Sequence, residues 1–182
     1  MIILASASPR RKQLLLAAGI ALHVRPADVD ETEHAGENPR LYALRVARSK
    51  ALAVEAGPDE IVLAADTTVA LGNEILGKPG TPERATATLR RLSGETHQVH
   101  TAMVARKGRR MLHRVVTTSV RFRTLSEEDI ARYVATGEPL DRAGSYAIQG
   151  EGGALVDRVN GSYTAVVGLP LKEALGLIAA LG

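Results

Sequence analysis

Three groups of residues in this chain could do chemistry on an anion. In the first, the apolar run Ile2-Ile3-Leu4-Ala5 leads into Ser6-Ala7-Ser8, then Pro9, then the consecutive cations Arg10-Arg11-Lys12, which open an apolar helix closed by Gly19. Ser8 suits the N-cap and Pro9 the first helical position, where a missing N–H costs nothing. Such a helix start leaves backbone N–H groups unpaired at the positive end of the dipole, where phosphates settle. Cations at that end oppose the dipole and one another, which points to a negative partner that offsets them. The second group is acidic. Asp66 follows the nearly continuous apolar run Glu60 to Ala65, which reads as a buried central strand ending at Asp66-Thr67-Thr68. Open α/β sheets bind ligands just outside the carboxyl ends of their strands, although a turn or N-cap aspartate occupies the same kind of position. Asp28, Asp30, Glu31 and Glu33 form an acidic loop, and the residues alone do not choose among them. The third group is Gly77-Lys78-Pro79-Gly80, a lysine in a loop of special backbone shape.

Two carboxylates, several cations and no Ser-His-Asp or cysteine nucleophile point to phosphate chemistry on a magnesium-like ion. Mg²⁺ is usually held by one or two carboxylates together with substrate phosphates. A free aspartate, with a pKa of about 3.9, is a weak base at neutral pH, and a divalent ion that acidifies the attacking water makes such a base sufficient. Lys50 and Lys78 are then placed to neutralise charge growing on phosphate oxygens and leaving group. His97 and His100 do not form a zinc pair, because a spacing of three on a strand puts them on opposite faces. The cations at Arg106, Lys107, Arg109 and Arg110 read as a solvated hairpin tip.

The bulk numbers narrow the class. With 182 residues, 45% of them hydrophobic, the chain is long enough for one domain with its own core. There is no cysteine, which excludes disulfides, thiol nucleophiles and cysteine-ligated metals. No window approaches the ~18 uninterrupted apolar residues of a membrane span, and a cytoplasmic, membrane-free protein is expected. The net charge is only +3 although the pI is near 9.4, a balance that suits an anionic small molecule. Aromatics make up 3% of the chain, with no Trp and one Phe, so a base-stacking platform for nucleic acid is not expected.

The elements that must position these residues follow in order. A short strand is expected over Ala21 to Arg25, a helix from Pro39 to about Ala56 with Leu41, Leu44, Val46, Ala47, Ala51 and Leu52 as its apolar stripe, and Lys50 on another face. Gly72-Asn73 signals a tight hairpin between Val69-Ala70-Leu71 and Glu74-Ile75-Leu76. A helix starts at Thr81-Pro82 and ends near Ser93-Gly94. Two hairpin strands run over Gln98 to Arg106 and Met111 to Arg123. Ser126 and Asp129 form a capping box for a helix reaching about Thr136. A glycine-rich segment, Gly144 to Gly153, precedes a strand at Ala154 to Val159, a turn at Asn160-Gly161 and a final helix over Pro170 to Leu181. Early alternation of strands and helices with later hairpins predicts one α/β domain over residues 1–182, with a mixed sheet flanked by helices and two lobes around a cleft.

Ser6-Ala7-Ser8-Pro9-Arg10-Arg11, Ala64-Ala65-Asp66-Thr67, Leu76-Gly77-Lys78-Pro79, Leu92 to His97, Ala147-Ile148-Gln149-Gly150 and Val167-Gly168-Leu169-Pro170, in this order, closely resemble the Maf family of nucleoside triphosphate pyrophosphatases. The resemblance spans essentially the whole chain. It implies an elongated mixed sheet similar to that of the inosine triphosphate pyrophosphatases, and cleavage between the α and β phosphates of a nucleotide with a divalent cation, Mg²⁺ or Mn²⁺. It implies that Asp66 activates water, that Glu31 with Asp66 holds the metal, and that Ser8, Arg11, Lys50 and Lys78 hold phosphates, beside the hydroxyl of Ser6. Arg10, Thr67 and Gln149 match the branch acting on dTTP and UTP, with modified pyrimidine triphosphates as further candidates, rather than the branch acting on 7-methyl-GTP. Ser145, where relatives often carry Ala, is a small departure. A homodimer is expected from relatives. The different-class alternative is a nucleotide- or protein-binding regulator of cell division, since the family is also named for blocking septum formation.

Overall fold

The computed structural model describes residues 1–182. In chain order its strands are β1 (Ile2–Leu4), β2 (Leu22–Val24), β3 (Ile61–Leu71), β4 (Glu74–Ile75), β5 (Thr96–Lys107), β6 (Arg110–Phe122) and β7 (Val156–Asn160). The helices are α1 (Pro9–Ala17), α2 (Pro39–Ala53), α3 (Pro82–Leu92), α4 (Glu127–Ala135), α5 (Tyr163–Val167) and α6 (Leu171–Leu181). The strands form one mixed sheet in the order β2-β1-β3-β5-β6-β7, with β4 on β3. β1 pairs in parallel with β2 and β3, and all other pairs are antiparallel. No helix is long and apolar enough to cross a membrane.

Local chemistry accounts for the helix starts. Ser8, Asn38 and Thr81 each accept backbone N–H groups of the first turn and are each followed by proline, which satisfies donors the helix itself cannot. Ser126 and Asp129 exchange side-chain and backbone hydrogen bonds in a complete capping box at the start of α4. The Gly72-Asn73 turn joins β3 to β4 as the sequence predicts.

The placement of the site depends on how β3 is used. β5 pairs with one edge of β3 continuously from Val62 to Ala70. The other edge is shared. β1 covers Ile61 to Leu63 and β4 covers Ala70 and Leu71. The last contacts on either side are Ala5 N–H to Leu63 C=O and Leu76 N–H to Val69 C=O. The stretch between them has no strand neighbour on that edge, and Asp66, Thr67 and Thr68 lie in it.

This corrects the expectation that Asp66 sits past a strand end. β3 continues through it as a single strand, because β5 satisfies the backbone on the far edge and carries the polar stretch through. The strand that does end here is β1, so the rule linking ligands to carboxyl ends holds for the neighbouring strand.

Each half of the sheet has its own core. Ile3, Ala47, Ala51, Val62, Ala64 and Val104 pack under α2, whereas Leu4, Leu15, Leu63, Met103, Leu169 and Leu177 pack under α1 and α6. The second lobe is built from Val69, Leu89, Leu92, Phe122, Ile130 and Tyr146 with α3 and α4. Fully buried leucines such as Leu15 and Leu63 contribute about 2 kcal/mol each by burial.

Other expectations shift in detail. Helix α2 ends at Ala53 rather than near Ala56. Val54 turns extended and inward, while Arg106 donates to the carbonyls of Ala51 and Val54. Arg110 likewise donates to the carbonyl of Ala180 at the end of α6. Two of the four cations assigned to a solvated tip are therefore helix C-caps. The buried stripe of α2 is narrower than predicted: Leu41 and Leu52 are exposed, and Lys50 is buried instead. Position 50 follows Val46 by four and Ala47 by three, which places it on the inward face. Helix α5 is an addition to the predicted elements, and the glycine-rich segment and the residues before it form short 3₁₀ turns over Glu138–Asp141, Ala143–Ser145 and Glu151–Leu155.

Candidate active site

A cleft of about 720 Å³ opens at the uncovered stretch of β3 and runs between the two lobes, within the range of small-molecule sites, roughly 300–1,000 Å³. Ser6, Ser8, Arg10, Arg11, Glu31, Lys50, Asp66, Thr67, Lys78 and Gln149 all border it. Lys12 does not.

Alternation along β3 sends Asp66 and Thr67 to opposite faces. Asp66 points toward α2. There the ammonium of Lys50 donates to Asp66 Oδ1 at 2.9 Å and lies 2.8 Å from Glu31 Oε1. The Thr68 hydroxyl lies 3.4 Å from Asp66 Oδ2. Lys50 and Asp66 are buried, whereas half of the Glu31 side chain is exposed. Two carboxylates thus share one cation, which leaves this corner with an excess negative charge.

The acidic loop is held to α2. Arg45 binds both oxygens of Glu37 at 2.7 Å and donates to the carbonyl of Thr32, and Tyr42 donates to the carbonyl of Glu31. Burial, with Asp66 and Glu31 adding to it, pushes the Tyr42 phenol up to about 12. Of the four acidic candidates, Glu31 is the one that borders the cleft; Asp30 instead accepts the N–H of Thr32.

On the other face, Thr67 meets Arg11. The guanidinium donates through Nε to the carbonyl of Gly168 at 2.8 Å, through Nη1 to Ser6 Oγ at 3.1 Å and through Nη2 to Thr67 Oγ1 at 3.2 Å. Burial draws Arg11 below its usual value, and the charges of Asp66 and Glu31 oppose that shift. Gly168 turns its carbonyl toward Arg11 with φ of 131°, a conformation that favours glycine. Arg10 Nε donates to the carbonyl of Val167 at 3.3 Å. Ser6 Oγ accepts from both Arg11 and the N–H of Ser8, so its own proton is left for a ligand.

The second lobe supplies the opposite wall. Lys78 rides on a loop fixed by Gly80 N–H to the carbonyl of Leu140 and by Gly144 N–H to the carbonyl of Leu76. Gln149 lies at the tip of a turn in which Gly150 N–H bonds the carbonyl of Ala147. Sequence reading missed three contributors: Tyr42, Arg142 and the carbonyl end of α5. Arg142 borders the cleft 3.2 Å from Asp141. The Ser162 cap, which accepts from Ala165 N–H, is the signal that could have revealed α5.

Nowhere does the chain gather three or more His, Asp or Glu side chains into a metal cage. Two hard carboxylate donors meeting on one ammonium nevertheless suit Mg²⁺ or Mn²⁺, which take the remaining oxygens from phosphates and water. His97 and His100 are bonded to Tyr146 and Thr117 respectively.

The comparisons with known proteins agree with one another. A family model described as "Maf-like protein" matches residues 1–181. The chain is 52% identical over its full length to a dTTP/UTP pyrophosphatase of Anaeromyxobacter dehalogenans, covering 94% of that protein. It is 54% identical, again over its full length, to a dTTP/UTP pyrophosphatase of Myxococcus xanthus, of which it covers 93%. To one of Escherichia coli O157:H7 it is 49% identical over 96% of this chain and 90% of the relative. Among solved structures, a HAM1 protein from Coxiella burnetii matches 98% of both chains with a TM-score of 0.53 at 16% identity, a likeness of fold.

Proposed function

The chain belongs to the Maf-like family, and on that premise we propose that it hydrolyses dTTP and UTP to the monophosphate and pyrophosphate. The observation that carries this reading is the meeting of Asp66 and Glu31 on the single ammonium of Lys50, at 2.9 and 2.8 Å, on the floor of a cleft faced by cations from both lobes.

Water attacks the α-phosphorus, the bond from that phosphorus to the bridging oxygen breaks, and pyrophosphate leaves with the electron pair. Asp66 takes the proton of the attacking water. Lys50 fixes the Asp66 carboxylate through Oδ1 and offsets charge that grows on the α-phosphate. Lys78 and Arg10 meet the β and γ phosphates from opposite walls, and the Ser6 and Ser8 hydroxyls donate to their oxygens. Arg11 holds Ser6 and Thr67 in register for that contact. Glu31 and Asp66 would hold a divalent cation, Mg²⁺ or Mn²⁺, which supplies charge neutralisation and a more acidic water when bound. Gln149 reads the pyrimidine edge by hydrogen bonds, a means of discrimination that is strong once water is excluded, while Thr67, whose hydroxyl is engaged by Arg11 and Thr101, fixes the wall beside it.

The test is pyrophosphate release from dTTP and UTP with Mg²⁺ or Mn²⁺. Asp66→Asn keeps the shape and removes the base, and is expected to lower kcat about 10³-fold, within the span of general base catalysis, with the melting temperature retained. A wild-type chain that releases no pyrophosphate from either nucleotide, or an Asp66→Asn variant as active as wild type, would refute the reading.

A further inference from the structure

The turn that carries Gln149 is gripped on both sides by a pair of residues outside the cleft. Glu138 stands at the start of the first 3₁₀ turn of the second lobe, and Tyr133 in the last turn of α4. The Tyr133 hydroxyl donates to Glu138 Oε2 at 2.6 Å and accepts the N–H of Ala147 at 3.1 Å. Beyond the turn, Glu138 Oε1 accepts the N–H of Glu151 at 3.1 Å, and Oε2 accepts that of Gly152 at 2.9 Å. One carboxylate and one phenol thus satisfy three backbone donors that bracket Ile148, Gln149 and Gly150. Neither side chain borders the cleft.

Glycine makes room for this arrangement. A Cβ at Gly150 would collide with Glu138 Oε1, and one at Gly152 would lie 2.6 Å from the Tyr133 hydroxyl and 2.8 Å from the Ala147 carbonyl. The backbone at Gly150, φ −106° and ψ −152°, lies outside the left-handed region that favours glycine. The absence of a side chain there serves the carboxylate. The burial of Tyr133 and its bond to Glu138 push its phenol well above the usual tyrosine range, so the hydroxyl keeps the proton it donates.

Resting on the nucleotide pyrophosphatase reading above, we propose that Glu138 and Tyr133 are positioning residues that set the orientation of Gln149, and through it the choice of base. Phosphate chemistry, whose groups lie on the Ser6 to Arg11 turn, β3, α2 and the Lys78 loop, does not pass through them. Their loss therefore separates base discrimination from turnover.

The experiment measures pyrophosphate release from UTP and from CTP, which carries an amine where UTP carries a carbonyl. Four variants of the full chain are compared with wild type: Glu138→Gln, Gly150→Ala, Gln149→Ala and the Glu138→Gln/Gln149→Ala double. Glu138→Gln turns one acceptor into a donor, and Gly150→Ala evicts the carboxylate without removing any hydrogen-bonding group.

Each of these two is expected to raise KM for UTP about tenfold, the factor matching one lost hydrogen bond, with kcat nearly unchanged and the preference for UTP over CTP reduced. In the Gln149→Ala background, Glu138→Gln is expected to add nothing further. Wild-type KM and preference in both single variants would overturn the proposal. So would a full extra loss in the double variant, or equal losses on UTP and CTP accompanied by a lower melting temperature, which would make Glu138 a structural strut. If wild type hydrolyses neither nucleotide, the parent reading fails instead.

Discussion

Asp66 and Thr67 are neighbours on β3, yet the surroundings of their side chains follow opposite logics. On the Asp66 face one ammonium serves two carboxylates, and Glu31 is half exposed, so these charges can exchange partners with an incoming ligand. On the Thr67 face, Arg11 already directs its donors to the carbonyl of Gly168, Ser6 Oγ and Thr67 Oγ1, and Thr67 in turn lies 3.1 Å from Thr101 Oγ1, which donates to the carbonyl of Ala165. The first face is poised for chemistry and the second ties α1, β3, β5 and α5 together. Proximity of a cation to the cleft is thus a poor guide to its task. The number of internal partners it already holds is a better one.

The sharpest way to break this contrast is to remove one cation of each kind. Arg11→Ala leaves buried acceptors without donors and should destabilise the fold by about 3 kcal/mol as well as weaken turnover. Lys78→Ala, which removes a cation with no hydrogen bond inside the chain, should weaken turnover while leaving the melting temperature within a degree or so. Equal melting temperatures for the two variants would erase the distinction.

The stability arm is best read above pH 6.5, because a third site titrates below it. Burial pushes His97 down from 6.5 to about 4, and the side chain sits against Phe122 and Tyr146 in the second lobe. The unfolded chain then binds the proton first. The contribution of His97 is fully present above pH 6.5 and is lost as the pH falls toward 4, about 3 kcal/mol in all. Urea unfolding of wild type and His97→Gln across that window should show the wild-type slope diminished in the variant. The smallest expected effect is that of Thr67→Val, which keeps the volume and removes the hydroxyl between Arg11 and Thr101. It should cost about 1 kcal/mol, and no loss at all would place the anchor of Arg11 in Gly168 and Ser6 alone.

Much of this fold was legible in the sequence because its signals are local. Ser8-Pro9, Asn38-Pro39 and Thr81-Pro82 start helices by satisfying donors a few residues away. Ser126 with Asp129 does the same, and Gly72-Asn73 needs only its own backbone to turn. What the sequence hid is set by distant partners. That β3 runs unbroken through Asp66 depends on β5, some 36 residues onward. That Arg106 caps α2 rather than facing solvent depends on a helix more than 50 residues upstream. The candidate site shows the same division. Its residue types and the Ser6 to Arg11 turn could be read directly, whereas the preference for Glu31 over Asp28, Asp30 and Glu33 in facing the cleft follows from the Arg45 and Tyr42 tethers, which no spacing announces.

The shared strand also bears on how relatives of this chain can diverge. β1 and β4 contact β3 only near its two ends, and Asp66 lies midway between them, whereas Gln149 sits on a separate turn of the second lobe held by Tyr133 and Glu138. Substitutions in that turn can retune which nucleobase is accepted without disturbing hydrolysis. Mutational drift in preference is therefore expected to gather in residues 137–153, leaving the reaction centre as inherited.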